Sequence, residues 1–170
     1  NQVGLDYETV VNKLAAVDTK FAVSSKDLIE GISRSASVAQ EAGVSFDELT
    51  ALITTLQEKT ARGGAVIGNA LKTIFQRVQT TENLDYIRNL GIAVNDVSGD
   101  ILPATTIIKK LADEFQNLDS ATRKGLLIKI GGGFQIDKLA ALLNDISSAN
   151  GTFNRSLTQS TNAGNQGFQK

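Results

Sequence analysis

The chain has 170 residues and a formal net charge of −1, and it contains neither cysteine nor histidine. This length is sufficient for one domain with a substantial hydrophobic core. A net charge near zero gives no overall electrostatic attraction for nucleic acid or for an anionic membrane. The missing residue types exclude disulfides, thiol nucleophiles, zinc sites of the Cys/His type and imidazole acid–base catalysis. Carboxylate, lysine, serine and tyrosine chemistry remain open.

The composition is typical of a helical protein with an aliphatic core. Proline occurs once, and the aromatic residues are seven Phe and two Tyr. A chain with little proline and abundant Ala and Leu favours helices. The sequence lacks the long apolar run of a membrane-spanning helix, so no membrane contact is predicted within it. Because the chain does not begin with methionine, we interpret it as a fragment of a longer protein.

Apolar residues recur at helical spacing along most of the chain and predict seven or eight short helices. The first covers residues 5–17, and the second begins at Ser24 or Ser25. The inward-facing residues of the second are predicted to be Leu28, Ile29, Ile32, Ala36 and Ala39. The third and fourth cover residues 46–60 and 65–78, and the broad apolar stripe of the fourth places it at the centre of the core. Of the later helices, one is predicted to end at Gly91 and the next to begin at Pro103. A further helix begins at Asp119 or Ser120, and the last covers residues 134–148.

A sharp corner is predicted between the second and third helices. Gly43 follows a helix rich in small residues and suits the left-handed conformation found just beyond helix ends. Ser45 and Glu48 have the spacing of a capping box, in which each side chain accepts a hydrogen bond from the backbone N–H of the other residue. We therefore expect the two helices to lie side by side, with the rest of the chain packed around this corner.

Residues 92–102 interrupt the helical pattern. Ile92 and Val94 alternate with small or polar residues, and the sequence from Asp96 to Asp100 is typical of a turn. The segment is predicted to form either a small β-hairpin or an ordered loop.

The last part of the chain, residues 150–170, is rich in Asn, Gln, Ser, Thr and Gly. Phe153, Leu157 and Phe168 are its only large apolar residues. In isolation this tail is expected to be weakly helical at best, because it has little apolar surface to bury.

Several of these segments, in the same order, resemble the core region of phage tail tape measure proteins. They are Ala22–Leu28, the corner Ser35–Leu49, Ile67–Phe75, Leu90–Val94 followed by Ser98–Asp100, and the hydrophobic helix that leads to Gly131 and Gly132. The similarity extends from Phe21 to Leu143. It departs from the family at Gly131–Gly133, where the family more often has two glycines and a polar pair, so no shared role is assigned to that loop.

The resemblance implies a structural virion protein of a phage or prophage, without catalysis or cofactors. Tape measure proteins are long, largely helical chains around which the tail tube polymerises, so that their length sets the tail length. They leave the tube ahead of the DNA during infection. The implied partners are tail tube proteins, distal tail or baseplate hub proteins, further copies of the chain and, transiently, DNA. The implied locations are the virion tail, in the tube interior or at the tip, and the host cytoplasm during assembly.

On this basis the chain is predicted to have three parts. Residues 1–20 form a leading helix or linker, residues 21–150 form an all-α core domain of the tape measure type, and residues 151–170 form a polar tail that leads to the next segment. The sequence lacks sustained heptads, so we interpret it as a folded portion of the ruler and not as a coiled-coil rod. The alternative function is an all-α adaptor that docks on a partner protein without catalysis.

Two segments without acidic residues, residues 59–81 and residues 120–136, are candidates for contact with DNA or with an acidic protein. Each includes a glycine break beside a helix start, where unpaired N–H groups favour anions. The basic positions in them are Lys59, Arg62, Lys72, Arg77, Arg123, Lys124 and Lys129. The simpler interpretation, which the net charge favours, is ordinary solvated helix surface.

Small residues of the second helix are the best candidates for close helix packing or for a subunit interface. They are Gly31, Ser35, Ala36 and Ala39. Packing within the domain is the default interpretation. Packing between copies of the chain is the alternative, because a protein in a rotationally symmetric tail meets its own copies or a ring.

Three patterns that suggest chemistry have simpler explanations. Gly131–Gly133 lacks the preceding strand and the following Lys-Ser/Thr pair of a phosphate-binding loop, so it predicts a helix end. Adjacent carboxylates such as Asp47 and Glu48 do not supply the facing pair that a glycosidase needs. Residues 96–100 lack the ligand spacing and the distant Glu of a calcium-binding loop.

Overall fold

The computed structural model describes the backbone of residues 6–167 and the side chains of residues 6–163. Over this range the chain forms nine α-helices and no β-strand. They are α1 (Tyr7–Lys20), α2 (Ser25–Glu41), α3 (Phe46–Thr60), α4 (Gly64–Val78), α5 (Thr81–Asn89), α6 (Ala104–Phe115), α7 (Ser120–Gly131), α8 (Ile136–Ile146) and α9 (Thr152–Gly167). The all-α prediction is confirmed, and the predicted number of helices is slightly too low. The predicted start of the first helix at residue 5 lies outside the described residues.

The helix at the centre of the core is α3. Its residues are buried without interruption from Leu49 to Gln57, and it packs against α2, α4, α8 and α9. Within this stretch, the hydroxyls of Thr54 and Thr55 donate to carbonyl oxygens one turn earlier, which satisfies two polar groups inside the core. The α4 helix, predicted at the centre, packs against α2, α3, α5, α6 and α7 and buries most of its apolar stripe. It is less completely buried than α3, because its other face lies at the surface, where Val66 is 46% exposed.

The corner between α2 and α3 has the predicted geometry. Gly43 adopts a φ of +75°. The Ser45 hydroxyl accepts from the Glu48 N–H and the Glu48 carboxylate accepts from the Ser45 N–H, both at 3.1 Å. The N–H of Ala104, the first residue of α6, donates to the carbonyl oxygen of Ala42 at 2.9 Å. The corner therefore also fixes the start of α6.

The inward face of α2 is narrower than predicted. Leu28 is fully buried, but Ile29 is 55% exposed, so its predicted burial is wrong. Gly31 lies in close contact with α4, and the two helices leave no room between them for a bulky side chain. Successive residues of a helix are about 100° apart around its axis. Ile29, the residue after Leu28, therefore lies outside this narrow buried face.

Residues 92–102 form an ordered loop, and the hairpin alternative is not supported. Within the described chain they contain a single antiparallel bridge, from Asn95 to Ile101. The Asp96 carboxylate holds the turn by accepting from two backbone N–H groups inside it, at 2.8 and 3.0 Å. Two backbone hydrogen bonds flank the bridge, from the Asp96 N–H to the Asp100 carbonyl oxygen and from the Leu102 N–H to the Val94 carbonyl oxygen, both at 2.8 Å.

The polar tail forms a helix, α9, in contrast to the weak helicity expected of it in isolation. Its residue Phe153 is fully buried, and α9 packs against α1, α3 and α8. Neighbouring helices therefore supply the stability that the local sequence lacks. Phe168 lies outside the described residues. The division of the chain at residues 20 and 150 stays a prediction.

Candidate functional site

A seam of glycines joins α2 and α4, which run side by side in the same direction. At the start of both helices, the Asp27 carboxylate accepts from the Gly64 N–H at 3.0 Å. One turn further, a Cβ placed on Gly68 would lie 2.7 Å from the carbonyl oxygen of Gly31. This separation is shorter than close-packed atoms allow. The seam therefore excludes a side chain at Gly64 and Gly68.

The four small residues predicted for close packing are all buried within the chain. They are Gly31, Ser35, Ala36 and Ala39. The Ser35 hydroxyl donates to the carbonyl oxygen of Gly31 at 2.7 Å, so its polar group is satisfied inside α2. A contact between copies of the chain at these positions would require α2 to leave its neighbours, and it stays a prediction.

Asp27 differs from an ordinary exposed aspartate because of its position at this seam. The Gly64 N–H, and after it the Ser24 hydroxyl, hold the pKa of the Asp27 carboxyl below its ordinary value of 3.8. Both donors lie 3.0 Å from the carboxylate. A carboxyl with a lower pKa in the folded chain stabilises the fold above its unfolded pKa. That contribution is lost as the pH falls through the folded pKa.

We expect Asp27→Asn to reduce the acid sensitivity of the fold. The free energy of unfolding of the wild-type chain should decrease as the pH falls below about 3.8, and the variant should show a shallower decrease. Urea unfolding at a series of pH values measures the difference. Asp113→Asn, at an exposed position of α6, is the matched control and should keep the wild-type slope. Equal slopes for Asp27→Asn and the wild type would contradict the role assigned to Asp27.

The two segments without acidic residues meet at the C-terminal ends of α4 and α7. The Arg77 guanidinium donates to the carbonyl oxygen of Lys129 at 3.0 Å. The Asn83 amide donates to the carbonyl oxygens of Arg77 and Lys129 at 2.7 and 3.2 Å. Carbonyl groups at helix C-termini lack partners within the helix, and the helix dipole favours positive charge there. Arg77 and Asn83 therefore stabilise the ends of both helices.

The other predicted basic positions are divided between contacts within the chain and open surface. The contacts are Lys59 with Asp145 at 3.6 Å, Lys129 with Glu82 at 3.5 Å, and Arg123 over the ring of Phe115 at 5.9 Å from its centre. Arg62, Lys72 and Lys124 are exposed. Contact of these residues with DNA or with an acidic partner stays a prediction.

The residues that suggested chemistry have structural contacts. Asp47 accepts from the Lys13 ammonium at 2.7 Å, and Glu48 forms the capping box of α3. The α7 helix ends at Gly131, as its sequence predicts. Within the side chains that the structure describes, no group of three or more Asp, Glu, His or Cys residues is arranged to hold a metal ion.

An ion pair that the sequence analysis missed joins α1, α3 and α9, with its lysine buried and its aspartate 26% exposed. The side chain of Lys13 is only 6% exposed, and its ammonium lies 2.7 Å from the Asp47 carboxylate. The same ammonium donates to the carbonyl oxygen of Ser160 at 3.0 Å, and the Ser160 hydroxyl donates to Asp47 at 2.6 Å. The available signal was the position of Lys13 on the apolar face of α1, between Val10 and Leu14.

A second missed residue is Asp145 in α8, which caps the start of α9. Its side chain is 3% exposed, and its carboxylate accepts from the N–H groups of Thr152 and Phe153 at 2.9 and 2.8 Å. The N-terminus of a helix favours such a negative charge. Gly151 permits the tight turn, because a Cβ at this position would overlap the carbonyl oxygen of Asp145.

Comparison with known proteins identifies the family of this chain. Residues 1–132 match the family model described as phage-related minor tail protein. The chain belongs to this family. The resemblance to phage tail proteins found in the sequence is therefore confirmed, and the chain is a structural component of phage tails.

The chain is also similar to the probable tape measure protein of Escherichia phage P2. It is 25% identical over 138 residues, which cover 79% of this chain and 17% of the relative. The chain thus spans only 17% of the length of this curated relative. No solved structure matches the chain at a significant level. Among the helices of residues 6–167, none has the length and apolar character needed to cross a membrane.

Proposed function

We propose that this phage tail protein is a folded module of a tape measure protein. In this role the full-length protein sets the length of the tail tube during assembly and leaves the tail during genome ejection. The similarity to the probable tape measure protein of phage P2 carries the proposal, because it covers 79% of this chain. The family supports the coarser role of a structural tail component.

The shape of the fold supports a module joined to an extended segment elsewhere in the protein. The described helices are short and pack around α3, so they do not form a rod. A protein segment that sets tail length must extend along the tail, and a continuous helix extends by about 1.5 Å per residue. The measuring segment then lies outside the helices described here.

The proposed partners follow from this role. They are tail tube subunits, distal tail or baseplate hub proteins, and further copies of the chain, with transient contact to DNA. The proposed location is the tube interior or the tip of the tail, after assembly in the host cytoplasm. The exposed Arg62, Lys72 and Lys124 are the proposed positions of contact with an acidic partner.

A helical insert directly after Lys170 tests the length-setting role. An insert of about 160 residues, built from repeats of the EAAAK type, should lengthen the tail by roughly 240 Å, because a helix rises about 1.5 Å per residue. Electron microscopy of purified tails measures this change. Tails of unchanged length would contradict the length-setting role.

The mass of the polypeptide that carries this sequence separates the proposal from the adaptor alternative. Mass spectrometry of purified tails should find a chain several times longer than 170 residues that co-purifies with tail tubes. A short chain found away from tails would instead favour the adaptor function.

A further inference from the structure

The first and last described helices form an antiparallel pair. The Lys13 ammonium of α1 donates to the carbonyl oxygen of Ser160 in α9 at 3.0 Å. Directly after the end of α1, the centre of the Phe21 ring lies 5.2 Å from the guanidinium of Arg155, near the start of α9. The C-terminal end of α1 thus lies beside the N-terminal part of α9. This order of contacts requires the two helices to run in opposite directions.

The described chain therefore starts and ends at the same end of this pair. Tyr7 precedes Lys13 in α1, and Gly167 follows Ser160 in α9, so both helices extend about 10 Å beyond the contact between Lys13 and Ser160 in the same direction. The axes of packed helices lie about 8–10 Å apart. The chain thus enters and leaves the fold across a distance comparable to the width of one helix.

We propose that this module adds little to the length that the full-length protein measures, although it contains many residues. This inference rests on the proposed length-setting function. The segment between α1 and α9, residues 21–151, would extend for roughly 200 Å as a continuous helix. In the fold, this segment instead brings α9 back beside α1, so the end of the described chain lies near its start. Tail length then follows the number of residues outside the module.

Buried contacts hold α1 and α9 together. Separation of α1 from α9 would break the cluster of Lys13, Asp47 and Ser160, in which the ammonium is almost fully buried. Loss of Asp47, which is 26% exposed, would leave the almost fully buried Lys13 ammonium without its compensating charge, and an uncompensated buried charge is unfavourable. The Asp145 carboxylate holds the start of α9 against α8 as well. The module therefore resists extension along the direction of the flanking chain.

A tandem duplication of the module tests this inference. A second copy of residues 6–167 placed after Lys170 should lengthen the tail by no more than about 40 Å, the diameter of a domain of this size. The matched control is the helical insert already described, which has nearly the same number of residues at the same site and should add roughly 240 Å. Electron microscopy of the two sets of tails gives both values.

The outcomes separate this inference from the function on which it rests. A short increment with the duplication and a long one with the helical insert would support both. Equal, long increments would overturn the inference and leave the length-setting role intact. No increment with the helical insert would overturn the length-setting role itself.

A distance measurement on the 170-residue chain tests the inference without assembly of a tail. The chain has no natural cysteine, so the double variant Val11→Cys with Asn162→Cys accepts two spin labels at exposed positions of α1 and α9. The labels should lie within about 25 Å of each other, because packed helix axes are about 8–10 Å apart and each label arm adds several ångströms. A separation typical of helices on opposite sides of the domain, about 40 Å or more, would overturn the inference.

Discussion

Gly64→Ala should lower the free energy of unfolding by about 3 kcal/mol. The added Cβ would overlap the backbone carbonyl group of Asp27, whose carbon atom would lie 2.9 Å away. Backbone atoms cannot rotate aside as the end of a flexible side chain does, so α2 and α4 would have to move apart along the glycine seam. Urea unfolding followed by circular dichroism measures the loss.

The neighbouring Gly63 provides the matched control. A Cβ at Gly63 would meet only the Asp27 carboxylate oxygen, at 3.8 Å, and its φ of −72° suits alanine. Gly63→Ala should therefore change the free energy of unfolding by less than about 1 kcal/mol. Similar losses in the two variants would show that the seam is not the cause, and would contradict the close approach of α2 and α4.

Asp145→Ala should also lower the free energy of unfolding by about 3 kcal/mol, because two buried N–H groups at the start of α9 would lose their acceptor. The effect should be concentrated in α9. Hydrogen exchange of its backbone amides should accelerate more than that of α4, since the loss releases one helix and leaves the glycine seam intact. Hydrogen–deuterium exchange with peptide resolution measures the two regions separately.

Lys59→Ala is the control for the charge partner of Asp145. The Lys59 side chain is 47% exposed and lies 3.6 Å from the carboxylate, and in its absence the carboxylate keeps both of its backbone N–H donors. The lysine variant should therefore leave α9 as protected as in the wild type. If both variants released α9 equally, the ion pair and not the helix cap would hold α9 in place.

The parts of the fold that could be predicted depend on residues close together in the sequence. Ser24 and Ser45 each cap a helix through a backbone N–H three residues later, and a sequence window of this size contains the whole interaction. The corner at Gly43 is predictable for the same reason. The apolar spacing likewise places most helices within a few residues of their observed ends.

Partners that are distant in the sequence could not be found in this way. Lys13 and Asp47 are ordinary charged residues until α1 and α3 meet, and Asp145 caps a helix that begins seven residues later. The broad apolar stripe of α4 predicts that this helix is central, and its apolar residues are buried. The structure buries α3 more completely, and the hydroxyls of Thr54 and Thr55 are satisfied there by the backbone of their own helix.

The candidate surfaces show the same difference between interactions of nearby residues, which the sequence predicts, and interactions of distant residues, which it does not. The small residues of α2 predicted close packing, and they are buried, but the sequence did not show that Gly64 and Gly68 are on the other side of the seam. In the sequence, Gly64 predicts only part of the glycine break that lies within residues 59–81. The two segments without acidic residues were treated as separate, and Arg77 in fact reaches the carbonyl oxygen of Lys129. That contact joins elements 52 positions apart, which is beyond the range of local patterns.

The antiparallel pairing of α1 with α9 also affects when the fold can close during synthesis. The hydrogen bond from Lys13 to Ser160 joins positions 147 residues apart. A ribosome adds roughly 5–20 residues per second, so α1 is complete for several seconds before α9 exists. Over that interval Asp47 lacks its Ser160 partner, and α1 lacks the helix against which it mainly packs. The first helix that the structure describes is therefore among the last to dock, and a nascent chain that stalls before Thr152 keeps it exposed to proteases.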